Sequence, residues 1–118
     1  MAAWHWTPTA ATGTALALLA GLAGGDAAAW AQEASALAAG QQLVEANCSR
    51  CHAVARTGDS PNPRAPAFRT LSQRYPVAEL EEALVEGIST GHPQMPEFAF
   101  DPTEAAAIIA YLKSIQQP

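Results

Sequence analysis

The chain has 118 residues and a formal net charge of −5, from 6 basic and 11 acidic residues. A chain of this length holds one small domain, and its acidic balance excludes the basic surface on which nucleic-acid binding depends. The sequence contains no pattern typical of a nucleophile with its general base, or of a phosphate-binding loop.

Residues 1–31 are predicted to be a signal peptide that is removed. An apolar stretch is centred on residues 15–22, and the small residues of Ala29–Ala31 resemble a signal-peptidase site. The stretch is shorter than the about 20 continuous apolar residues that a membrane span needs. No Lys or Arg precedes it, although a signal peptide normally carries positive charge there. An uncleaved membrane anchor or a disordered tail therefore stays open as the alternative.

Residues 32–118 then form the mature domain. A domain of this size has a hydrophobic core that is only marginally stable by itself, and such domains commonly need a disulfide, a metal ion or a similar stabilising group. A bound cofactor would supply this stabilisation. The strong metal-ligating side chains that stay in this domain are Cys48, Cys51, His52, His92 and Met95.

Periodicity and capping residues predict three main helices and no strands, so the predicted fold class is all-α. The first helix is expected from about Gly40 to Cys48, after a polar, Ala-rich lead-in over 32–39. A loop rich in Gly and Pro follows over 53–67. Residues 68–75 suit one or two helical turns.

The second main helix is expected to begin at Pro76 and to end at Gly87. One of its faces is apolar: Val77, Leu80 and Leu84. After a loop over 89–100, the third helix begins with Asp101 as N-cap and with Glu104 placed for a capping box. Three apolar residues then form one stripe: Ile108, Leu112 and Ile115.

Cys48, Cys51 and His52 form the sequence C-x-x-C-H, which is the attachment signature of c-type haem. Two thiols three positions apart at a helix end lie on one side of the chain, where each can add to one vinyl group of the porphyrin. The adjacent His52 is then placed to give its Nε2 to the iron as the proximal ligand. The sequence therefore predicts one covalently attached haem.

Other uses of these residues fit less well. A zinc site needs about four ligands, and His92 is far along the chain from His52. A thioredoxin-like cysteine pair requires a βαβ pattern, and no strands are predicted. A structural disulfide between Cys48 and Cys51 stays open for an exported protein.

With this motif the chain resembles the class I cytochromes c, and the likeness covers nearly the whole domain. Gly40 stands where that family has a small residue that lets the first and last helices cross closely, and the matching aromatic residue is Tyr111. Ala65–Phe68 resembles the family's G-P-x-L loop. This implies that the carbonyl of Pro66 accepts a hydrogen bond from His52, which would fix the tautomer and orientation of the ring.

The resemblance also assigns the sixth position of the iron to Met95. Gly91–Pro96 is similar to the G-x-x-M-P loops of small bacterial members, and its two prolines stiffen it. The alternatives are a core role for Met95, or His92 as the ligand. The mature chain departs from the family in lacking a tryptophan near a haem propionate, and Tyr75 or Arg74 is the substitute that we consider.

The resemblance implies a periplasmic carrier of single electrons that is not an enzyme and binds no small-molecule substrate. Its partners would be a redox protein that donates electrons and another that accepts them, such as a membrane-bound or periplasmic oxidoreductase. One alternative is a haem c subunit tightly bound to a periplasmic oxidoreductase complex. Another is a haem sensor that binds a gas at an open iron.

Charge is segregated along the domain. Five of the 6 basic residues lie within residues 50–74: Arg50, Arg56, Arg64, Arg69 and Arg74. Most acidic residues lie within 79–104. The arginines form either a docking surface that steers a redox partner or an ordinary solvated face.

Overall fold

The computed structural model describes residues 24–88 and 94–118. Its elements are α1 (Gly24–Cys48), two 3₁₀ helices (Phe68–Gln73 and Val77–Glu79), α2 (Leu80–Glu86) and α3 (Pro102–Ile115). No strand occurs within these two ranges. The prediction of an all-α fold with three main helices is therefore confirmed.

The first helix is much longer than predicted. It begins at Gly24, so the lead-in over 32–39 belongs to α1 rather than preceding it. Alanine has the highest helix propensity, and neither Gly nor Pro interrupts the chain over 26–39. The side chains over 25–35 are exposed. Most of the predicted signal peptide lies outside the described residues, and its removal stays a prediction.

None of the helices in the described part of the chain combines the length and the apolar character that crossing a bilayer requires.

Helices α1 and α3 cross at Gly40. A Cβ atom on Gly40 would overlap the carbonyl oxygen of Ala107, and it would lie 2.6 Å from the Ala107 carbonyl carbon and 3.0 Å from Cβ of Tyr111. Real Cβ atoms do not approach so closely, so the two backbones meet here only because residue 40 has no side chain. The close crossing of the first and last helices that the family resemblance implied is confirmed.

Helix α3 supplies much of the buried core. Its start is closed by the predicted capping box, in which Asp101 Oδ1 accepts from Glu104 N at 2.9 Å and Glu104 Oε2 accepts from Asp101 N at 3.2 Å. The predicted stripe is buried, each residue being 3% exposed: Ile108, Leu112 and Ile115. Four apolar residues of α1 and the 3₁₀ helices pack with it: Val44, Phe68, Leu71 and Val77.

The second main helix is shorter than predicted. Pro76 has an extended conformation (φ −63°, ψ 120°), and the 3₁₀ turn Val77–Glu79 separates it from α2, which begins at Leu80. Gly87 ends the helix as predicted, with φ of +103°. Residues with a side chain rarely adopt this backbone conformation, so glycine is the residue that permits the chain to leave α2 in this direction.

Replacing Gly40 by Ala is expected to lower the free energy of unfolding by about 1–3 kcal/mol, the usual cost of overpacking. The matched control is Ala39→Ser on the exposed side of the same helix, which should change that free energy by less than about 0.5 kcal/mol. Denaturant unfolding followed by far-UV circular dichroism measures both. Equally small effects for the two variants would contradict the close crossing.

Candidate functional site

One cavity of about 580 Å³ brings together residues that the sequence singled out. Its wall includes all five of the predicted site residues: Cys48, Cys51, His52, Pro66 and Met95. They come from the end of α1, from the loop that follows it, and from the loop before α3. The volume lies within the roughly 300–1,000 Å³ that ligand and cofactor pockets occupy.

The two cysteines and His52 lie in the turn that ends α1. The carbonyl oxygen of Cys48 accepts from Cys51 N at 3.2 Å and from His52 N at 3.0 Å. Both cysteines are free, half-buried thiols, so the disulfide that was considered as an alternative is not formed. Burial raises the pKa of the Cys48 thiol to about 11. This sulfur therefore keeps its proton at neutral pH, and both thiols face one cavity.

The ring of His52 is held by two contacts from a single segment. Its Nδ1 lies 2.8 Å from the carbonyl oxygen of Pro66, and its centroid lies 4.6 Å from that of the Phe68 ring, with 35° between the planes. Because a carbonyl oxygen only accepts, Nδ1 must carry the proton. The Nε2 lone pair is then free to bind a metal. The contact that the resemblance implied for Pro66 is present.

The loop over 53–67 is irregular, as predicted, and it is tied to the rest of the domain. Phe68 N donates to Ala53 O at 2.9 Å, which joins its two ends. The hydroxyl of Tyr111 in α3 donates to Val54 O at 2.9 Å. Burial raises the pKa of Tyr111, so the hydroxyl stays a donor at neutral pH. These contacts fix the position of Pro66 relative to His52.

Met95 is half-buried on the cavity wall rather than in the hydrophobic core. The base of its loop is fixed by two backbone hydrogen bonds, from Ile88 N to Phe98 O at 3.0 Å and from Phe100 N to Leu84 O at 2.9 Å. His92, the alternative ligand, lies outside the described residues. The role of Met95 as a ligand stays a prediction.

Several polar residues of the cavity wall were not predicted as site residues: Asn47, Asn62, Arg64 and Gln94. Each is close in sequence to a predicted site residue, and Arg64 also belongs to the arginine cluster. Arg74 and Tyr75, the substitutes considered for a propionate, do not line this cavity.

Metal binding by side chains alone finds no support in the described part of the chain. It contains no group of three or more His, Cys, Asp or Glu residues that could hold a metal ion. The zinc alternative therefore lacks a ligand set among those residues.

The helical fold encloses a cavity whose wall carries two thiols and an imidazole. The family model for cytochrome c matches residues 37–116. Cytochrome c-552 of Bradyrhizobium diazoefficiens is 34% identical in an alignment of 86 positions, which covers 70% of this chain and 81% of that relative. No solved structure gives a significant match. The chain belongs to the cytochrome c family, as the class I resemblance predicted.

Membership of this family establishes the cofactor as covalently attached haem c and the general role as electron carriage between redox partners. The cavity suits this group. Its wall offers two free thiols and an imidazole whose Nδ1 is bonded to Pro66 O, and much of the remainder is apolar: Ala46, Ala65, Pro66, Pro96 and Phe98.

Double replacement of Cys48 and Cys51 by Ala is expected to abolish covalent attachment, since no thiol is left to form a thioether. After denaturing electrophoresis, peroxidase staining for haem should remain with the wild-type chain and be lost from the variant. Ser49→Ala is the matched control, because it lies between the cysteines and is exposed. A colourless wild-type protein from a host that attaches haem to cytochromes c would contradict this expectation.

Proposed function

We propose that the protein is a periplasmic carrier of single electrons whose haem iron is bound by His52 and Met95. It takes electrons from one redox protein and passes them to another, and residues 1–31 are removed on export. The observation that carries this proposal is that His52 and Met95 line the same cavity as both cysteines. A carrier needs no further site for a substrate.

When bound, the haem supplies a one-electron couple at its iron. The bond from His52 Nδ1 to Pro66 O holds the ring in one orientation and increases the basicity of Nε2. The thioether of Met95, if bound to the iron, would favour ferrous iron and so raise the reduction potential. With both His52 and Met95 bound, gases and substrates would be kept from the metal, which separates a carrier from a haem sensor.

The surface supports a free carrier over a permanently bound subunit of an oxidoreductase complex. Obligate interfaces are large and apolar. In the described part of the chain beyond residue 31, the large apolar side chains that are well exposed are Tyr75 and Val85, each 36% exposed. Trp30, at 71%, belongs to the predicted signal peptide. Such isolated residues are normal on a monomer surface.

The arginines of residues 50–74 do not act as one uniform docking surface. Arg56 donates to the carbonyl oxygen of Ser114, and Arg69 Nη1 donates to Gly58 O at 2.7 Å, so both serve the fold. Arg50 and Arg64 are exposed and line the cavity. We place the docking surface for an acidic redox partner at these two residues, where positive charge lies beside the cofactor site.

Met95→Ala should leave the haem attached and lower the reduction potential, because the ligand that favours ferrous iron is lost. The weak far-red band of a sulfur ligand on ferric iron should disappear. His92→Ala is the control and should leave both spectrum and potential nearly unchanged. If His92→Ala abolishes the low-spin spectrum and Met95→Ala has no effect, the ligand is His92.

A separate test uses the reduced wild-type protein. If it binds carbon monoxide, the iron has an open position, which would favour the alternative of a gas-binding haem sensor.

Replacing both Arg50 and Arg64 by Glu should slow electron transfer to an acidic physiological partner by about tenfold at low salt, the lower range of electrostatic steering. The defect should shrink as ionic strength rises, because salt screens exposed charges. Arg74→Glu is the control, since it is exposed and does not line the cavity. Stopped-flow rates across a salt series measure this. Rates equal to those of the wild type at every salt concentration would show that Arg50 and Arg64 are ordinary solvated residues with no role in docking.

A further inference from the structure

The side chain of Gln116, directly after α3, makes three hydrogen bonds to the backbone. Its Nε2 donates to Phe68 O at 2.8 Å and to Leu112 O at 2.7 Å, and its Oε1 accepts from Ser72 N at 2.8 Å. Both amide protons and the oxygen are thereby engaged. One half-buried side chain connects both ends of the 3₁₀ helix Phe68–Gln73 to the last turn of α3.

The 3₁₀ helix Phe68–Gln73 depends on such external contacts. It has 6 residues, too few for a helix to be stable by itself, and 3₁₀ hydrogen bonds have poorer geometry than those of an α-helix. Phe68 and Leu71 bury apolar side chains, which attach one face to the core without fixing its backbone direction. Hydrogen bonds supply direction, because they are directional where apolar contacts are not. Here they come from the amide of Gln116 and from two backbone bonds, Phe68 N to Ala53 O and Gln117 N to Arg69 O, each at 2.9 Å.

Both partners of the His52 ring lie at the start of this helix. Phe68 is its first residue, and Pro66 lies two positions earlier. The carbonyl to which Gln116 donates belongs to the same residue whose ring packs against His52. A shift of the Phe68 backbone therefore moves the Phe68 ring and, through the single intervening Ala67, the Pro66 carbonyl.

We propose that Gln116 is a positioning residue for the proximal histidine. Together with the hydrogen bond from Phe68 N to Ala53 O, its amide fixes the segment 66–68 and so sets the length and direction of the hydrogen bond from His52 Nδ1 to Pro66 O. The proposal rests on the proposed function in one respect, that His52 binds the iron. A strong hydrogen bond at Nδ1 makes the imidazole a better electron donor, which favours ferric iron. Loosening the segment weakens that bond and raises the reduction potential.

The test replaces Gln116 by Leu in the haem-bearing protein, which removes all three hydrogen bonds and approximately conserves volume. Gln117→Leu is the matched control, because Gln117 is exposed and its side chain donates to Arg56 O at 3.3 Å, away from the segment 66–68. In Gln116→Leu, the His52 Nδ1 proton should exchange with deuterium about tenfold faster, because losing one or two net hydrogen bonds makes local opening of the segment easier by about that factor. The potential should rise. The control should show neither change.

A lower melting temperature for Gln116→Leu with unchanged proton exchange and potential would overturn the proposal, because it would show a merely structural role. Equal shifts in Gln116→Leu and Gln117→Leu would overturn it too. If Gln116→Leu does not fold, Gln116→Asn is measured instead. It keeps the amide but is one methylene shorter, so it should raise the exchange rate of the His52 Nδ1 proton and the reduction potential by smaller amounts. A Gln116→Asn variant that changes neither quantity would refute the positioning role.

The wild-type spectrum in the same series separates this proposal from the proposed function. A wild-type protein without the far-red sulfur band would refute Met95 as the ligand. The comparison of Gln116→Leu with Gln117→Leu would still test the positioning role, because exchange of the His52 Nδ1 proton does not depend on whether Met95 is the ligand.

Discussion

The backbone contact between Gly40 and Ala107 determines where the cofactor site lies. Cys48 is eight residues beyond Gly40 on the same helix, which is about 12 Å along a rigid axis. The crossing therefore sets the position of the first thiol relative to α3. One turn beyond Ala107 in α3, the hydroxyl of Tyr111 donates a hydrogen bond to the carbonyl oxygen of Val54, which lies two residues after His52. Both ends of the C-x-x-C-H turn thus take their positions from α3.

Side chains that bind backbone carbonyls are how this small domain orders its long irregular segments. Arg56, Arg69, Tyr111 and Gln116 all donate to main-chain oxygens far away in the sequence. A carbonyl without a partner is costly wherever it is withdrawn from water. In a domain whose core is small, these bonds give definite positions to loops that apolar packing alone would leave loose.

The local signals in the sequence predicted the parts of the structure that depend on neighbours in the chain. The capping box of Asp101 and the C-x-x-C-H turn could be predicted because each motif spans no more than five consecutive residues. The predicted start of α1 at Gly40 was wrong, because residues 24–39 are helical although their polar and Ala-rich sequence has no apolar stripe. The 3₁₀ turn after Pro76 was missed because its apolar spacing is the same as that of an α-helix. The roles of Arg69 and Gln116 could not be predicted, because long polar side chains are common on surfaces and their partners are set only by the tertiary fold.

The crossing of α1 with α3 also has a consequence for the order of events during biogenesis. The two helices are the first and the last in the order of the sequence, so the crossing cannot form before α3 has been made. Contacts between distant parts of a chain close slowly, because the intervening segment must first lose conformational entropy. Until then the end of α1 lacks the position that the crossing gives it. Docking of α3, rather than formation of α1 alone, is therefore the step that completes the cavity beside Cys48 and Cys51.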